Sequence, residues 1–248
     1  MGRGIAIEYI MKKNEIIEKP SIAIFFPVYR DEGTVETVAM KSLKVLSDIA
    51  SSYKVIIVDD GSPDKSGEIA DKLAEKFPEI ISVHHKKNLG YGAALQTGFK
   101  YSLDYEWICF TDGDNQYDVN ELYHISKLLH HYDLIVTFRY TKIYGTLRIF
   151  ISYVYNLVIR WLFKSHLRDH NCGLKVIRSN VVKDMELISK SPFIGAEIIN
   201  NAMVKGYPIG EVGINTYPRT FGESSSLSIP NIIASIRDML RVYRKIFK

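Results

Sequence analysis

Trp107-Ile108-Cys109-Phe110-Thr111-Asp112-Gly113-Asp114-Asn115-Gln116 is a short apolar run that ends in two carboxylates one residue apart, followed by an amide. An apolar run of this length, bounded by turn residues, reads as a strand covered on both faces. Two like charges held so close repel unless a cation or a proton is shared between them. Hard oxygen ligands suit Mg²⁺ or Mn²⁺, so the pair predicts a divalent-metal site at the end of a buried strand.

Working outward, similar runs stand at Ile22-Ala23-Ile24-Phe25-Phe26, Val55-Ile56-Ile57-Val58, Ile80-Ile81-Ser82-Val83 and Leu134-Ile135-Val136. Between the first two, Val35, Val38, Ala39, Leu43, Leu46 and Ile49 have helical spacing, and Ile69, Leu73 and Phe77 repeat it after the second. Strand and helix alternate through residue 140, which predicts a mostly parallel sheet of βαβ units with ligands outside the carboxyl ends of its strands. The informative residues are then those that follow each run. Pro27-Val28-Tyr29-Arg30-Asp31-Glu32 follows the first and Asp59-Asp60-Gly61-Ser62 the second. Acids in such places either serve a ligand or cap the next helix. Asn88-Leu89-Gly90-Tyr91-Gly92-Ala93-Ala94-Leu95 resembles a dinucleotide glycine loop, but the third glycine of that pattern falls at Leu95, which excludes the oxidoreductase reading. Haloacid-dehalogenase phosphatases also use an Asp-x-Asp, yet after their first strand; here it follows the fourth.

Beyond Tyr140 the pattern changes to a long amphipathic stretch over 147–162, a mixed segment, a helix near 196–204 and a strand-like 209–217. A final helix puts Ile229, Ile232, Ile233, Ile236, Leu240, Tyr243 and Phe247 on one stripe, and Ser224-Ser225-Ser226 reads as a mobile loop. No linker or repeat divides the chain. A single domain over 1–248 is expected, with a ligand-binding half at 21–140, a second half at 141–228 and a basic amphipathic helix at 229–248.

The chain carries 32 basic and 28 acidic residues, and the excess of four equals that of the last twelve residues alone. The rest is neutral, so no basic face for nucleic acid is expected. Cys109 and Cys172 are too few for a staple framework and read as buried thiols. Charges at Glu8, Lys12, Lys13, Glu15 and Glu18 exclude a signal peptide, and Ala6 stands where myristoylation wants Ser or Thr. The longest apolar run, 149–163, is interrupted by Asn156 and Arg160 and falls short of the roughly 20 residues a bilayer crossing needs. His166 and His170, four apart, read as polar residues at a helix end in preference to metal ligands, and His84-His85 as strand surface.

In order, the PVYRDE, VDDGS, NLGYGAALQTG and DGDNQ segments resemble the inverting family-two nucleotide-sugar glycosyltransferases of the GT-A fold. Phe138-Arg139-Tyr140, Asp169-His170-Asn171-Cys172-Gly173-Leu174-Lys175 and Arg219-Thr220-Phe221-Gly222-Glu223-Ser224 extend the likeness toward polyprenyl-phosphate glycosyltransferases of the dolichyl-phosphate mannose synthase type. The resemblance implies an α/β, Rossmann-like sheet flanked by helices, with interfacial amphipathic helices. It implies that Pro27, Tyr29, Asp31, Val58 and Asp60 line the nucleotide pocket, that Asp112 and Gly113 meet ribose and diphosphate, and that Asp114 and Gln116 hold the Mg²⁺ or Mn²⁺. Arg139 and Arg219 would contact phosphates, which suits their planar fork of donors. Asp169 would orient or deprotonate the acceptor. Three departures stand out: Arg30-Asp31 replaces the usual Asn-Glu, Gly113 the frequent Ala, and Ser225 a common phosphate-binding lysine.

The implied reaction moves a hexose from a GDP-mannose- or UDP-glucose-type donor to a polyprenyl (dolichyl or undecaprenyl) phosphate at the cytoplasmic face of a membrane, with the enzyme bound peripherally or through a membrane partner. Tyr153, Tyr155 and Trp161 interleaved with Arg148 and Arg160 are compatible with an interfacial helix, and equally with plain core. Transfer to a glycan hydroxyl is the alternative. A non-catalytic nucleotide-sugar-binding subunit is the third reading.

Overall fold

The computed structural model describes residues 18–141, 145–222 and 228–247. The Ser224-Ser225-Ser226 stretch therefore lies outside the described residues, as does most of the region before Pro20. Strands β1 (Ser21–Val28), β2 (Ser52–Asp59), β3 (Ile80–His84), β4 (Trp107–Phe110), β5 (Leu134–Arg139), β6 (Lys175–Arg178) and β7 (Ile209–Ile214) form one sheet in the order β3-β2-β1-β4-β6-β5-β7. Every neighbouring pair is parallel except those of β6, which runs antiparallel to β4 and β5. Both halves of the chain contribute to it.

The apolar runs are continuous because both sheet faces are covered. From β1, Ile22, Ile24, Phe26 and Val28 pack under α1 (Val35–Ile49) and α2 (Ser66–Lys76). Ala23 and Phe25 join Ile56 and Val58 on the opposite face, under α3 (Tyr91–Ser102) and α7 (Ile194–Val204). Burying each large side chain contributes about 1.5–3 kcal/mol, so these runs supply the core. A Cβ on Gly98 would overlap the Phe25 ring, and its absence lets α3 press onto β1. The short helices α4 (Leu122–Ile125) and α6 (Ser179–Lys183) fill the connections beside β5 and β6.

β6 lies inside the mixed segment and has no apolar signature of its own. It has four residues and opens with a fully buried lysine, and its partners are 65 and 39 positions away at Phe110 and Val136. The strand expected over 209–217 ends earlier, at Ile214; only an isolated bridge between Thr216 and Tyr117 prolongs it.

Helices α5 (Thr146–Phe163) and α8 (Ile229–Ile246) pack on α7 through Ile159, Phe163, Phe193, Ala196 and Val242. Asp238 turns inward from α8, and its Oδ2 accepts the amides of Lys190 and Ser191 at 3.1 Å. Outward, Phe150, Tyr153, Leu157 and Trp161 of α5 and Ile229, Ile233 and Ile236 of α8 remain exposed, Trp161 by 78%. Plain core does not describe these faces. No helix of the described residues is long and apolar enough to cross a membrane.

Asn156, which interrupts the α5 run, is buried and functions as a tie. Its Oδ1 accepts the backbone amide of His170 at 3.0 Å and faces His170 Nδ1 at 3.1 Å, while Ser165 Oγ lies 2.8 Å from His170 Nε2. Burial, with Lys175 nearby, lowers the His170 pKa to about 4, so the ring is neutral with its proton on Nδ1. His170 is thus core structure. Nor are His84 and His85 plain strand surface: His84 bridges Asp59 and Asp71, and His85 bridges Asp60 and Thr97. Cys109 and Cys172 are free and buried, and burial raises both thiol pKa values.

Candidate active site

A cavity of about 800 Å³ opens outside the carboxyl ends of β1, β2 and β4, where a ligand is expected in a parallel sheet. Pro27, Tyr29, Asp31, Asp60, Asp112, Gly113, Asp114, Gln116, Arg139 and Arg219 all line it. These ten positions span nearly two hundred residues of sequence and converge on one wall.

The turn after β4 is fixed from three sides. Thr34 Oγ1 donates to the Gly113 carbonyl at 2.7 Å, and a Cβ at Gly113 would stand 2.7 Å from the Pro27 carbonyl oxygen. In this backbone glycine is therefore required at the position where the resembling family frequently has Ala. Asn115 takes the left-handed backbone with φ 57°, a conformation asparagine adopts more readily than most residues. From the far side, the Tyr217 amide donates to the Gln116 carbonyl at 2.9 Å and Gln116 Nε2 donates to the Tyr217 carbonyl at 3.3 Å. That zipper carries Arg219 to the acids: its Nη2 is 2.6 Å from Asp114 Oδ2, and its Nη1 is 3.9 Å from Asp31 Oδ1.

The acids sit in different environments. Asp31 Oδ2 accepts the Tyr29 amide at 3.0 Å, yet burial raises its pKa from 3.8 to about 6. Asp112 rises to about 6 as well, through burial and the neighbouring charge of Asp114, despite the Tyr91 hydroxyl donating to its Oδ1 at 2.7 Å. Asp60 is engaged within the protein: its oxygens accept the amides of Leu89 and Gly90 and face His85 Nδ1, which ties the Asn88–Gly90 turn to the end of β2.

Two anticipated residues are not on the wall. Val58 is fully buried in the core, packed among the side chains beneath β1 and β2. Asp169 is 2% exposed and accepts from Arg139 Nε at 2.8 Å and Nη2 at 2.7 Å. A carboxylate so enclosed cannot reach an acceptor proton. What it does is hold the Arg139 guanidinium in place.

Conversely, two residues without an assigned role sit on the wall. Tyr91, the first residue of α3, buttresses Asp112, and burial pushes its hydroxyl pKa well up. Lys175, the first residue of β6, hydrogen-bonds the Cys172 carbonyl and lies 5.4 Å from the Phe110 ring centroid. A tyrosine at a glycine-flanked helix start was the only local signal for the first. Lys175 closes the Asp169–Lys175 segment that carries the family resemblance, but no role attached to it, because its position depends on β6 entering the sheet. Gly173 belongs to the same loop: a Cβ there would overlap Asp112 Oδ2 and stand 2.6 Å from Tyr117 Cε2.

The donor set fits a hard divalent cation. Asp112, Asp114 and Gln116 offer only oxygen ligands, and the raised Asp112 pKa marks a place short of positive charge. No cluster of three or more His, Cys, Asp or Glu that could hold a metal occurs among the described residues, so a cation here is not enclosed by such side chains alone.

Comparison with known proteins accords with this geometry. Undecaprenyl-phosphate 4-deoxy-4-formamido-L-arabinose transferase of Shewanella sediminis is 28% identical over 233 residues, 93% of this chain and 68% of the relative. Glycosyltransferase AglD of Haloferax volcanii is 24% identical over 232 residues, 90% of this chain and 37% of the relative. Glucosyl-3-phosphoglycerate synthase from Mycobacterium tuberculosis, solved with Mn²⁺, UDP-glucose and phosphoglyceric acid, superimposes with a TM-score of 0.69 at 16% identity, covering 91% of this chain and 80% of that one. That likeness is one of fold, and the fold is GT-A. The model of the family described as Glycosyl transferase family 2 matches residues 24–192, more than half of the chain. The chain therefore belongs to glycosyl transferase family 2, and is a glycosyltransferase.

Proposed function

We propose that this glycosyltransferase moves a hexose from a nucleoside-diphosphate sugar to a polyprenyl phosphate. The observation that carries the acceptor is the cavity's outer wall. Val154 and Val158 of α5 and Ile232 and Ile236 of α8 line it and also belong to the exposed apolar faces of those helices. A lipid lying along the two helices would meet the same apolar side chains on the surface and at the cavity, and the basic residues of α8, Arg237, Arg241, Arg244 and Lys245, suit an anionic membrane. The undecaprenyl-phosphate transferases among the relatives support this reading.

In it, residues 21–140 hold the donor, 141–228 face the acceptor and 229–248 lie at the membrane surface, within one catalytic unit. Pro27, Tyr29, Asp31 and Asp60 bound the nucleotide. Asp114 and Gln116 hold Mg²⁺ or Mn²⁺, with Asp112 beside them, and the Mn²⁺ bound in glucosyl-3-phosphoglycerate synthase supports the assignment. When bound, the cation supplies Lewis-acid stabilisation of the leaving diphosphate. The chain's own contribution is electrostatic: Arg219 presents fixed guanidinium donors to the donor diphosphate, where charge develops, Arg139, at the boundary of the two halves, presents its own to the acceptor phosphate, and Asp169 keeps Arg139 oriented. A phosphate acceptor is already anionic, so a single inverting displacement needs no strong base. This agrees with Asp169 being enclosed.

A second reading has its own support. Solved structures of glucosyl-3-phosphoglycerate synthase that this chain resembles contain phosphoglyceric acid or glucosyl-3-phosphoglycerate, neither of them a lipid, and on that comparison the hydroxyl reading is the better backed. A hydroxyl acceptor would need a base from another wall residue. The test is transfer of labelled sugar from UDP and GDP donors, with Mn²⁺, to polyprenyl phosphate in detergent and to a panel of soluble acceptors in parallel, with Asp114→Ala as control. Metal-dependent labelling of the lipid is expected; labelling of soluble acceptors alone would move the acceptor to a hydroxyl.

A further inference from the structure

Lys175 is 1% exposed, and among the described residues its nitrogen has one hydrogen-bond acceptor, the Cys172 carbonyl, and no ion pair. An ammonium has three N–H donors and a neutral amine two, so at least one donor remains unclaimed in either state. A polar group left unsatisfied in a dry interior costs about 1–3 kcal/mol. The residue nonetheless lines the cavity. Beside it, Gly195 of α7 also lines the cavity, and a Cβ there would stand 3.4 Å from Lys175 Nζ, so the absence of a side chain leaves the nitrogen uncovered.

Its place along the sheet edge indicates the ligand atoms it faces. Reading across, Asp60 follows β2, Pro27 and Tyr29 flank the last residue of β1, Asp112 and Asp114 follow β4, β6 begins at Lys175, and β5 ends at Arg139. Because β6 is antiparallel, its first residue stands opposite the last residue of β4, Phe110, and opposite Val136 of β5, three residues before that strand ends at Arg139. Nucleoside, diphosphate and acceptor phosphate occupy the β2–β1, β4 and β5 positions in the reading above. The position between diphosphate and acceptor phosphate is that of the group in transit.

We propose that Lys175 Nζ donates a hydrogen bond to a hydroxyl or ring-substituent oxygen of the transferred sugar, and that Gly195 keeps that contact open, making the pair a determinant of donor-sugar recognition. This rests on the nucleotide-sugar reading, and the experiment separates the two. Binding of UDP, UDP-glucose, GDP and GDP-mannose is measured by calorimetry with Mn²⁺ for the unaltered chain, Lys175→Met and Gly195→Ala. The expected result is that Lys175→Met keeps the affinity for the nucleoside diphosphate that binds, within about threefold, and weakens the matching nucleotide sugar by roughly 10- to 100-fold. Retained diphosphate affinity also reports that the variant is folded. Should Lys175→Met lose both ligands, Gly195→Ala decides, since its methyl fits without a clash: selective loss of the sugar nucleotide supports the proposal, and unchanged affinity overturns it. Equal affinities of Lys175→Met and the unaltered chain for the sugar nucleotide, with only the KM for acceptor raised, also overturn it. If the unaltered chain binds none of the four, the donor reading itself falls, and this one with it.

Discussion

Replacing Asp31 by asparagine should make the ligand-free protein more stable while impairing it as an enzyme. Asp31 is 7% exposed, and burial holds its pKa at about 6 against the usual 3.8. For an acid whose folded pKa is raised, the folded state binds the proton more tightly than the unfolded chain. Stability is therefore lost as pH rises from the unfolded value through the folded one, and the loss is complete above it. A shift of about two units corresponds to about 3 kcal/mol. Asparagine has nearly the same shape, can still accept the Tyr29 amide, and carries no charge to desolvate. Allowing for relaxation around Arg219, a gain of about 1–3 kcal/mol is expected at pH 7.5, shrinking by up to about 2 kcal/mol at pH 4.5. Urea unfolding in EDTA without nucleotide, at both pH values, measures it; transfer activity at pH 7.5 should fall in the same variant. A pH-independent difference, or a variant less stable at pH 7.5, would refute the reasoning that Asp31 is strained by its charge.

Other outcomes follow from the geometry. Gly173→Ala should lower activity at least about 100-fold with a loss of stability of about 1–3 kcal/mol, because its methyl overlaps Asp112 Oδ2; activity and thermal melts of the same preparation check this. Arg30 holds φ at 61°, so Arg30→Asn should stabilise by up to about 1 kcal/mol, read as a rise in the urea midpoint. Asn156→Leu should cost about 1–3 kcal/mol by orphaning the His170 amide, and hydrogen exchange of the amides of 165–171 should become faster. For His84, burial opposes the charge, but hydrogen bonds to Asp71 and Asp59 prevail and raise its pKa above 6.5; its contribution is full below 6.5 and disappears as pH rises through the raised value. NMR titration of the ring should show the raised value, and His84→Gln should flatten that part of the stability profile.

What the sequence disclosed and what it hid divide on physical lines. Five strands were legible because burial on both faces makes a run such as Ile22–Phe26 apolar throughout, and the chemistry could be located because the acids directly follow those runs. β6 was hidden because its sheet position is set by partners far away in the chain, and because its leading Lys175 belongs to the cavity and not to the core. Asp169 looked like a free acid since sequence does not say that Arg139 closes over it. Val58 was named for a pocket it only underlies: it is the penultimate residue of β2, and alternation decides which side chain reaches the ligand.

The insertion of β6 between β4 and β5 has a consequence for how the chain is made. As the polypeptide leaves the ribosome, β1 to β4 can assemble from nearby βαβ units, but β4 then presents a bare edge until residues 175–178 arrive. β5 emerges earlier and has no sheet to join, since its neighbours are β6 and β7. The last third of the chain thus completes the sheet by slotting in backwards, late and from a distance, which makes it the slow step in assembly and the stretch whose loss by truncation exposes an adhesive strand.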